Sequence, residues 1–222
     1  MKVPNESDPR RFHCLACLII VLAGLIIYSN TVHSSFHFDD YRNIVDNPLI
    51  RDLRNVPQLF QKTRLHDNDF TLPSRALVTT SFAVNYYFSG LSVEGFHWVN
   101  ISIHLINSML VYFLAVIILN KYFSEAGGRD TSMGRVLALF VALFFLTSPI
   151  QTHSVTYIYQ RDGLMASFFY LLSLVLFIKA VKGAGTRPYL YAASLLSFLS
   201  GVWCKEITYT APAIMLLYYQ CF

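Results

Sequence analysis

Apolar blocks, each long enough for several helical turns, follow one another along this chain with short polar joints between them. From Phe12 to Tyr28 every residue except His13 is apolar or small. Further blocks cover about 96–119, 136–148, 164–181, 188–203 and 207–222. Uncharged runs of this length read as membrane-spanning helices rather than strands. The expected fold is therefore all-α, a polytopic membrane protein of about six transmembrane helices in one domain over 1–222. The first block follows Lys2, Arg10 and Arg11, as a signal peptide would. It is long for that role, and Tyr28-Ser29-Asn30 is no small-x-small cleavage site, so it is read as a retained span over 12–29. The third block is short, which asks for tilt or submerged flanks.

The joints differ in length. Residues 1–11 are polar, whereas 30–94 form a loop long enough to have structure or function of its own. Within that loop Asp52 to Phe60 reads as a short interfacial helix, with Leu53, Val56, Leu59 and Phe60 on one face. Arg75 to Phe88 is a second amphipathic candidate, whose Phe82, Tyr86, Tyr87 and Phe88 suit the headgroup level. The loop also holds a basic run (Arg51, Arg54, Lys62, Arg64) and His66-Asp67-Asn68-Asp69. In the second span Asn100, His104 and Asn107 recur at helical spacing and face other helices, as packing glue or as a site.

Composition narrows the class. Hydrophobic residues make up 55% of the 222 and charged residues only 14%, with a mean hydropathy of +0.45. Those values exclude an ordinary soluble domain. The net charge of +4 comes without a basic stripe interleaved with stacking aromatics, so no nucleic-acid partner is expected. Cys14 and Cys17 have the spacing of a metal or redox pair, but lie inside a span with no second pair, and read as packing. Met109, Met165 and Met215 read as packing too.

Charge distribution sets the topology. Residues 1–11, 121–135 and 179–187 each carry three Lys/Arg, and alternate crossings put all three on one side. Short basic loops mark the cytoplasm. The N-terminus is thus expected inside, with 30–94, 149–163 and 204–206 outside. The Asn5-Glu6-Ser7 sequon then lies on the side where no glycan is added.

That topology gathers the chemistry. Asp39-Asp40, Gln160-Arg161-Asp162 and Lys205-Glu206 all border spans on the outer face. A carboxylate can take a proton from an acceptor hydroxyl. Arg and Lys can hold phosphate oxygens and the charge of a leaving phosphate. The acid pair Asp39 and Asp40 can alternatively hold a divalent cation such as Mg or Mn. His33 and His37 flank the acids as solvated side chains or proton shuttles, and His153 is a similar case.

The stretches FHFDDYRNIVDNPLI from Phe36, SRALVTTSFAVNYYFSG from Ser74, SPIQTHSVTYIYQRDGL from Ser148 and WCKEITYTAPAIMLLYY from Trp203 together resemble one group. That group is the N-terminal membrane half of bacterial tetratricopeptide-repeat membrane proteins. It is similar to the animal transmembrane and tetratricopeptide-repeat O-mannosyltransferases, and both resemble members of the GT-C superfamily. The resemblance implies an inverting glycosyltransferase that moves a mannose-like sugar from a polyprenyl-phosphate carrier to a hydroxyl of a protein or glycan acceptor. It maps Asp39 and Asp40 to the acidic motif, one as general base. It makes Arg161, Lys205 and Arg75 donor-phosphate candidates, with Glu206, His153 and Gln160 around them. Ala76 departs from an Arg-Pro-Leu position of the family. Ser148 to His153 departs from the animal His-Pro-Ile-His-Thr-Glu, and the Gln-Thr-x-x-Val-Thr-Tyr-Ile-x-Gln-Arg form over Gln151 to Arg161 is closer to the bacterial branch, which implies a bacterial inner membrane with a periplasmic site. The family's further spans and repeats are missing here, so a truncated form is expected. Two other readings remain: a non-catalytic membrane scaffold or assembly protein, and a transporter or flippase component, for which only Asn100, His104 and Asn107 hint at a path.

Overall fold

A computed structural model describes residues 8–60, 75–125, 132–182 and 187–221. Lys62, Arg64, the His66 to Asp69 cluster and the sequon lie outside the described residues.

Helices form where caps and breakers allow. Asp8 accepts a hydrogen bond from the Arg10 backbone N–H at 3.0 Å and Pro9 takes the first position, so α1 (Pro9–Tyr28) starts there. The first half of the outer loop is a string of single turns, ending in the four-residue α2 (Val56–Leu59). The interfacial helix expected over Asp52 to Phe60 is thus divided, a 3-10 turn at Leu53–Asn55 preceding α2. Next, α3 (Ala76–Ser89) ends at Gly90, whose N–H still reaches the Tyr86 carbonyl and whose positive φ of 56° turns the chain out of the helix. The long α4 (Val93–Glu125) follows, then α5 (Ser132–Thr147) and α6 (Pro149–Thr156). Pro149 cannot donate an amide and disfavours helix before it, so α5 and α6 meet at a bend of 57°. The chain closes with α7 (Arg161–Lys182), α8 (Pro188–Val202) and α9 (Ala211–Cys221). No strand occurs among the described residues.

The chain is an all-α polytopic membrane protein by composition and helix length. Of the spans expected, Pro9–Thr31, Val93–Ser124 and Ile158–Lys182 are long and apolar enough to cross alone. The bent α5–α6 pair makes a fourth, while α8 and α9 are shorter.

Three apolar clusters hold the bundle. In the first, Ala16 and Ile20 of α1 meet Ile101, Leu105 and Tyr112 of α4 and Ala138, Ala142 and Leu146 of α5. Small residues at the fourth-position spacing of Ala138 and Ala142 let backbones approach. So does Gly24 on α1, where an added methyl would overlap Leu105. The second cluster joins Ile44 and Ile50 of the outer loop to Val78, Phe82, Phe96 and Ile158. Phe82 therefore belongs to this core, whereas Tyr87 and Phe88 remain exposed. The third sets Tyr218 of α9 against Leu174 and Ile178 of α7. Leu18, Leu22 and Ile26 on α1, Phe140 and Phe144 on α5, and Leu195 and Leu199 on α8 point outward as an apolar coat suited to lipid.

Candidate functional site

Asn100, His104 and Asn107 line the inner face of α4 and are fully buried. Each reaches a backbone carbonyl near a helix break. Asn100 donates to Val155 and Ile158 at the α6–α7 junction, and Asn107 to Leu164. His104 Nε2 lies 3.2 Å from the Leu146 carbonyl at the α5 end, which Tyr28 also reaches with its hydroxyl at 3.1 Å. These side chains hold the helix breaks together, while His104 Nδ1 and Asn107 Oδ1 are buried without a hydrogen-bond partner among the described residues.

The breaks bring the outer segments to one end of the bundle. Asp40 and Asp39, adjacent in sequence, face opposite ways there. Asp40 is 1% exposed. Its two oxygens accept backbone N–H groups from His37 at 2.9 Å and Tyr159 at 2.8 Å, which staples the first outer loop to the segment before α7. Burial pushes its carboxyl above the usual range, against the pull of those two N–H groups and of His37 and His97. Asp39 is exposed, held from behind by its own N–H donated to the Tyr157 hydroxyl at 2.9 Å. Burial, with the nearby Asp39 and Asp40 charges, pushes the Tyr157 phenol up.

Arg161 and Asp162 diverge in the same manner. Arg161 is fully buried. Its guanidinium donates to Asn100 at 2.7 Å, Asn85 at 2.9 Å and the Phe96 carbonyl at 3.0 Å. It also lies 4.6 Å from the Phe82 ring centroid, a cation–π distance. Its partners are inside the protein. Asp162, with a side chain 2% exposed, turns towards two cations instead. Arg75 Nη1 lies 3.1 Å and Lys205 Nζ 3.3 Å from its Oδ2, and both cations are about a third exposed (30% and 31%). One buried carboxylate thus carries two half-open cations. Partial burial works against the Arg75 charge, but Asp162 and Tyr159 outweigh it and hold its pKa above the usual value.

Tyr159 links the halves. Its N–H binds Asp40, its hydroxyl accepts from Arg75 at 3.0 Å, and its ring stacks on Phe82 at 6.4 Å. In the sequence Asp162 is one of the Gln160-Arg161-Asp162 cluster but carries no assigned role, and Tyr159 is not singled out. Glu206 is exposed beside Lys205, Gln160 is half-buried, and His153 is exposed with its ring edge-on to Tyr157 at 5.5 Å. His33 pairs with Glu94 at 3.5 Å, away from Asp39. Cys204 is buried beneath this face, its thiol donating to the Ser200 carbonyl at 3.3 Å, and burial pushes that thiol up to about 12.

Phe38 (φ 45°) and Arg75 (φ 73°) are the two residues other than glycine with positive φ among those described. One precedes Asp39 and the other is the cation itself. Such strain costs about 1–3 kcal/mol and collects at functional sites. No group of three or more His, Cys, Asp and Glu side chains suited to a metal ion occurs among the described residues. Further along α7, Ala166, Ser167, Tyr170 and Leu171, with Val111 of α4, Phe145 of α5 and Ile207 and Thr210 before α9, border a mostly apolar cavity of about 270 Å³.

The chain is similar to proteins named protein O-mannosyl-transferases. It is 28% identical to TMTC4 of Homo sapiens over 204 residues, which is 86% of this chain and 27% of that protein. It is 29% identical to TMTC2 of Homo sapiens over 219 residues, 92% of this chain and 24% of that one. Against Tmtc3 of Drosophila melanogaster it is 25% identical over 231 residues, 96% of this chain and 24% of that one. The chain spans about a quarter of the length of these relatives. No family model and no solved structure matches it.

Proposed function

With these homologues as the premise, we propose that the chain is the donor-binding and acceptor-activating part of a membrane glycosyltransferase. It moves a mannose-like sugar from a polyprenyl-phosphate carrier to a protein or glycan hydroxyl. The observation that carries the proposal is the Arg75–Asp162–Lys205 triangle, two half-open cations on one buried carboxylate, on the same end of the bundle as the exposed Asp39. In this reading Arg75 and Lys205 hold the donor phosphate, and Asp162 sets their spacing. The mostly apolar cavity further along α7 takes prenyl units of the carrier. Asp39 removes the acceptor proton, the freed oxygen attacks the anomeric carbon, and the bond to the phosphate oxygen breaks with its electron pair leaving on phosphate. One such displacement inverts the anomeric centre.

Two of the sequence assignments change role in this reading. Asp40 and Arg161 act from inside: Asp40 fixes the loop that presents Asp39, and Arg161 fixes the α3–α4–α7 junction under Arg75. A divalent cation, if one takes part, would bind Asp39 with the phosphate rather than Asp40, both of whose oxygens already accept N–H groups. The reading puts the site on the non-cytoplasmic face, since the basic segments 1–11, 121–135 and 179–187 leave from the other side. The relatives above are animal proteins, so a bacterial inner membrane rests on the Gln151 to Arg161 stretch alone.

The test is transfer of labelled mannose from polyprenyl-phosphate mannose by membranes holding the protein, against Asp39→Asn at equal membrane levels. Loss of transfer in the variant is expected. Equal transfer would remove Asp39 from the chemistry, and no transfer by either would shift weight to the scaffold reading.

A further inference from the structure

The far end of α7 carries a second meeting of charge and apolar space. Lys179 and Lys182 close α7 and Arg187 precedes α8. Together with Ile117, Ile178 and Tyr189 they border a cavity of about 520 Å³. Leu114, Ile118, Leu174, Ile214 and Leu217 border a wholly apolar cavity of about 220 Å³ between α4, α7 and α9. Ile178 lines both, and at their junction Lys182 Nζ lies 5.9 Å from the centroid of the Tyr218 ring. A cationic mouth and an apolar cleft therefore share a wall.

Asp162 is roughly 25 Å away along α7, at 1.5 Å per residue, so one headgroup cannot occupy both places. No ion pair joins Lys179 or Arg187 to a described acid. Membrane orientation accounts for cations at this end, since short basic loops stay cytoplasmic. It does not account for a cavity between them, nor for the cleft on the other side of Ile178. A free phosphate would use the cations and leave the cleft idle. A neutral lipid would use the cleft and leave the cations idle. Only an anionic headgroup joined to a hydrocarbon chain satisfies both, and basic pockets between membrane helices take such lipids.

We propose that this end of the bundle is a seat for an anionic phospholipid of the surrounding bilayer. Lys179 and Arg187 hold its phosphate, and one acyl chain lies along Leu174, Ile214 and Leu217. α9 otherwise docks through the small cluster of Leu174, Ile178 and Tyr218, so the lipid fastens α9 to α7 and α4.

The experiment is native mass spectrometry and thermal melting of the delipidated full protein in neutral detergent. Phosphatidylglycerol, phosphatidylcholine and inorganic phosphate are added separately. Phosphatidylglycerol should stay bound and raise the melting temperature, and the other two should not. Lys179→Gln with Arg187→Gln should weaken phosphatidylglycerol roughly 30-fold, two cations each contributing several-fold at a membrane surface. Ile214→Trp fills the cleft while leaving both cations in place, and should weaken the same lipid by a second route. Melting without lipid checks that both variants fold. Equal binding of the two phospholipids, unchanged phosphatidylglycerol binding in either variant, or full protection by inorganic phosphate would each overturn the proposal.

Discussion

Arg161 and Asp162 are neighbours in the chain and belong to two different regions. Around Arg161 every polar group turns inward: Asn85, Asn100, the Phe96 carbonyl and the buried Asp40 exchange hydrogen bonds with protein alone. Around Asp162 the groups turn outward: Arg75 and Lys205 stay partly exposed, and Asp39 is exposed on the same end. The two regions are built from the same residue types. What separates them is whether the partners are internal. A polar residue at a membrane helix end is therefore not a site in itself, and its satisfaction must be checked first.

If that division is right, changes in the two regions should fail differently. Arg161→Ala should have the largest effect, about 3–5 kcal/mol of stability, because it opens a cavity and strands Asn85, Asn100 and a carbonyl. Loss of folded protein in detergent melts would show it, and Arg161→Lys should rescue little, lacking the planar fork. A folded Arg161→Ala protein deficient only in donor binding would break the comparison. Asp39→Asn should do the reverse, lowering the transfer rate about 10²–10⁴-fold with stability changed by less than about 0.5 kcal/mol. Lys205→Ala should cost roughly 10–100-fold in kcat/KM, less than a fully buried donor to a developing anion because Lys205 is a third exposed.

A smaller effect of the inward region is read by pH. Burial raises the folded pKa of Asp40. The native state then holds its proton where the unfolded chain has lost it, and stability falls as pH rises through that window. The contribution is fully present below the ordinary carboxylate pKa and gone above the raised one. Asp40→Asn should flatten this fall in melting temperature on the acid side of neutrality.

The helices were largely legible because uncharged length and capping residues act locally: Asp8-Pro9, Gly90, Ser148-Pro149 and Pro188 sit at the observed ends. The inward face of Asn100, His104 and Asn107 was legible by its spacing. The opposite directions of Asp39 and Asp40, and of Arg161 and Asp162, were not. They depend on the turn at Phe38 and on which carbonyls a distant helix break exposes. No local pattern encodes either. Phe82 was misplaced for a similar reason, as an aromatic on an amphipathic helix looks the same whether a headgroup or a folded loop covers it.

The bend between α5 and α6 has a mechanical consequence. A loop that carries reactive groups moves on its own, whereas here the turn at Ser148-Pro149 makes an elbow whose outer arm leads to Tyr157 and Tyr159. That arm is bolted to α4 at Asn100, and the end of α5 just before the elbow is bolted at His104, so Asp39 and Asp40 lean on a bracket anchored in the bundle. Loosening a bolt far inside, at His104 or Tyr28, should be felt at the rim as blurred alignment rather than as a missing group.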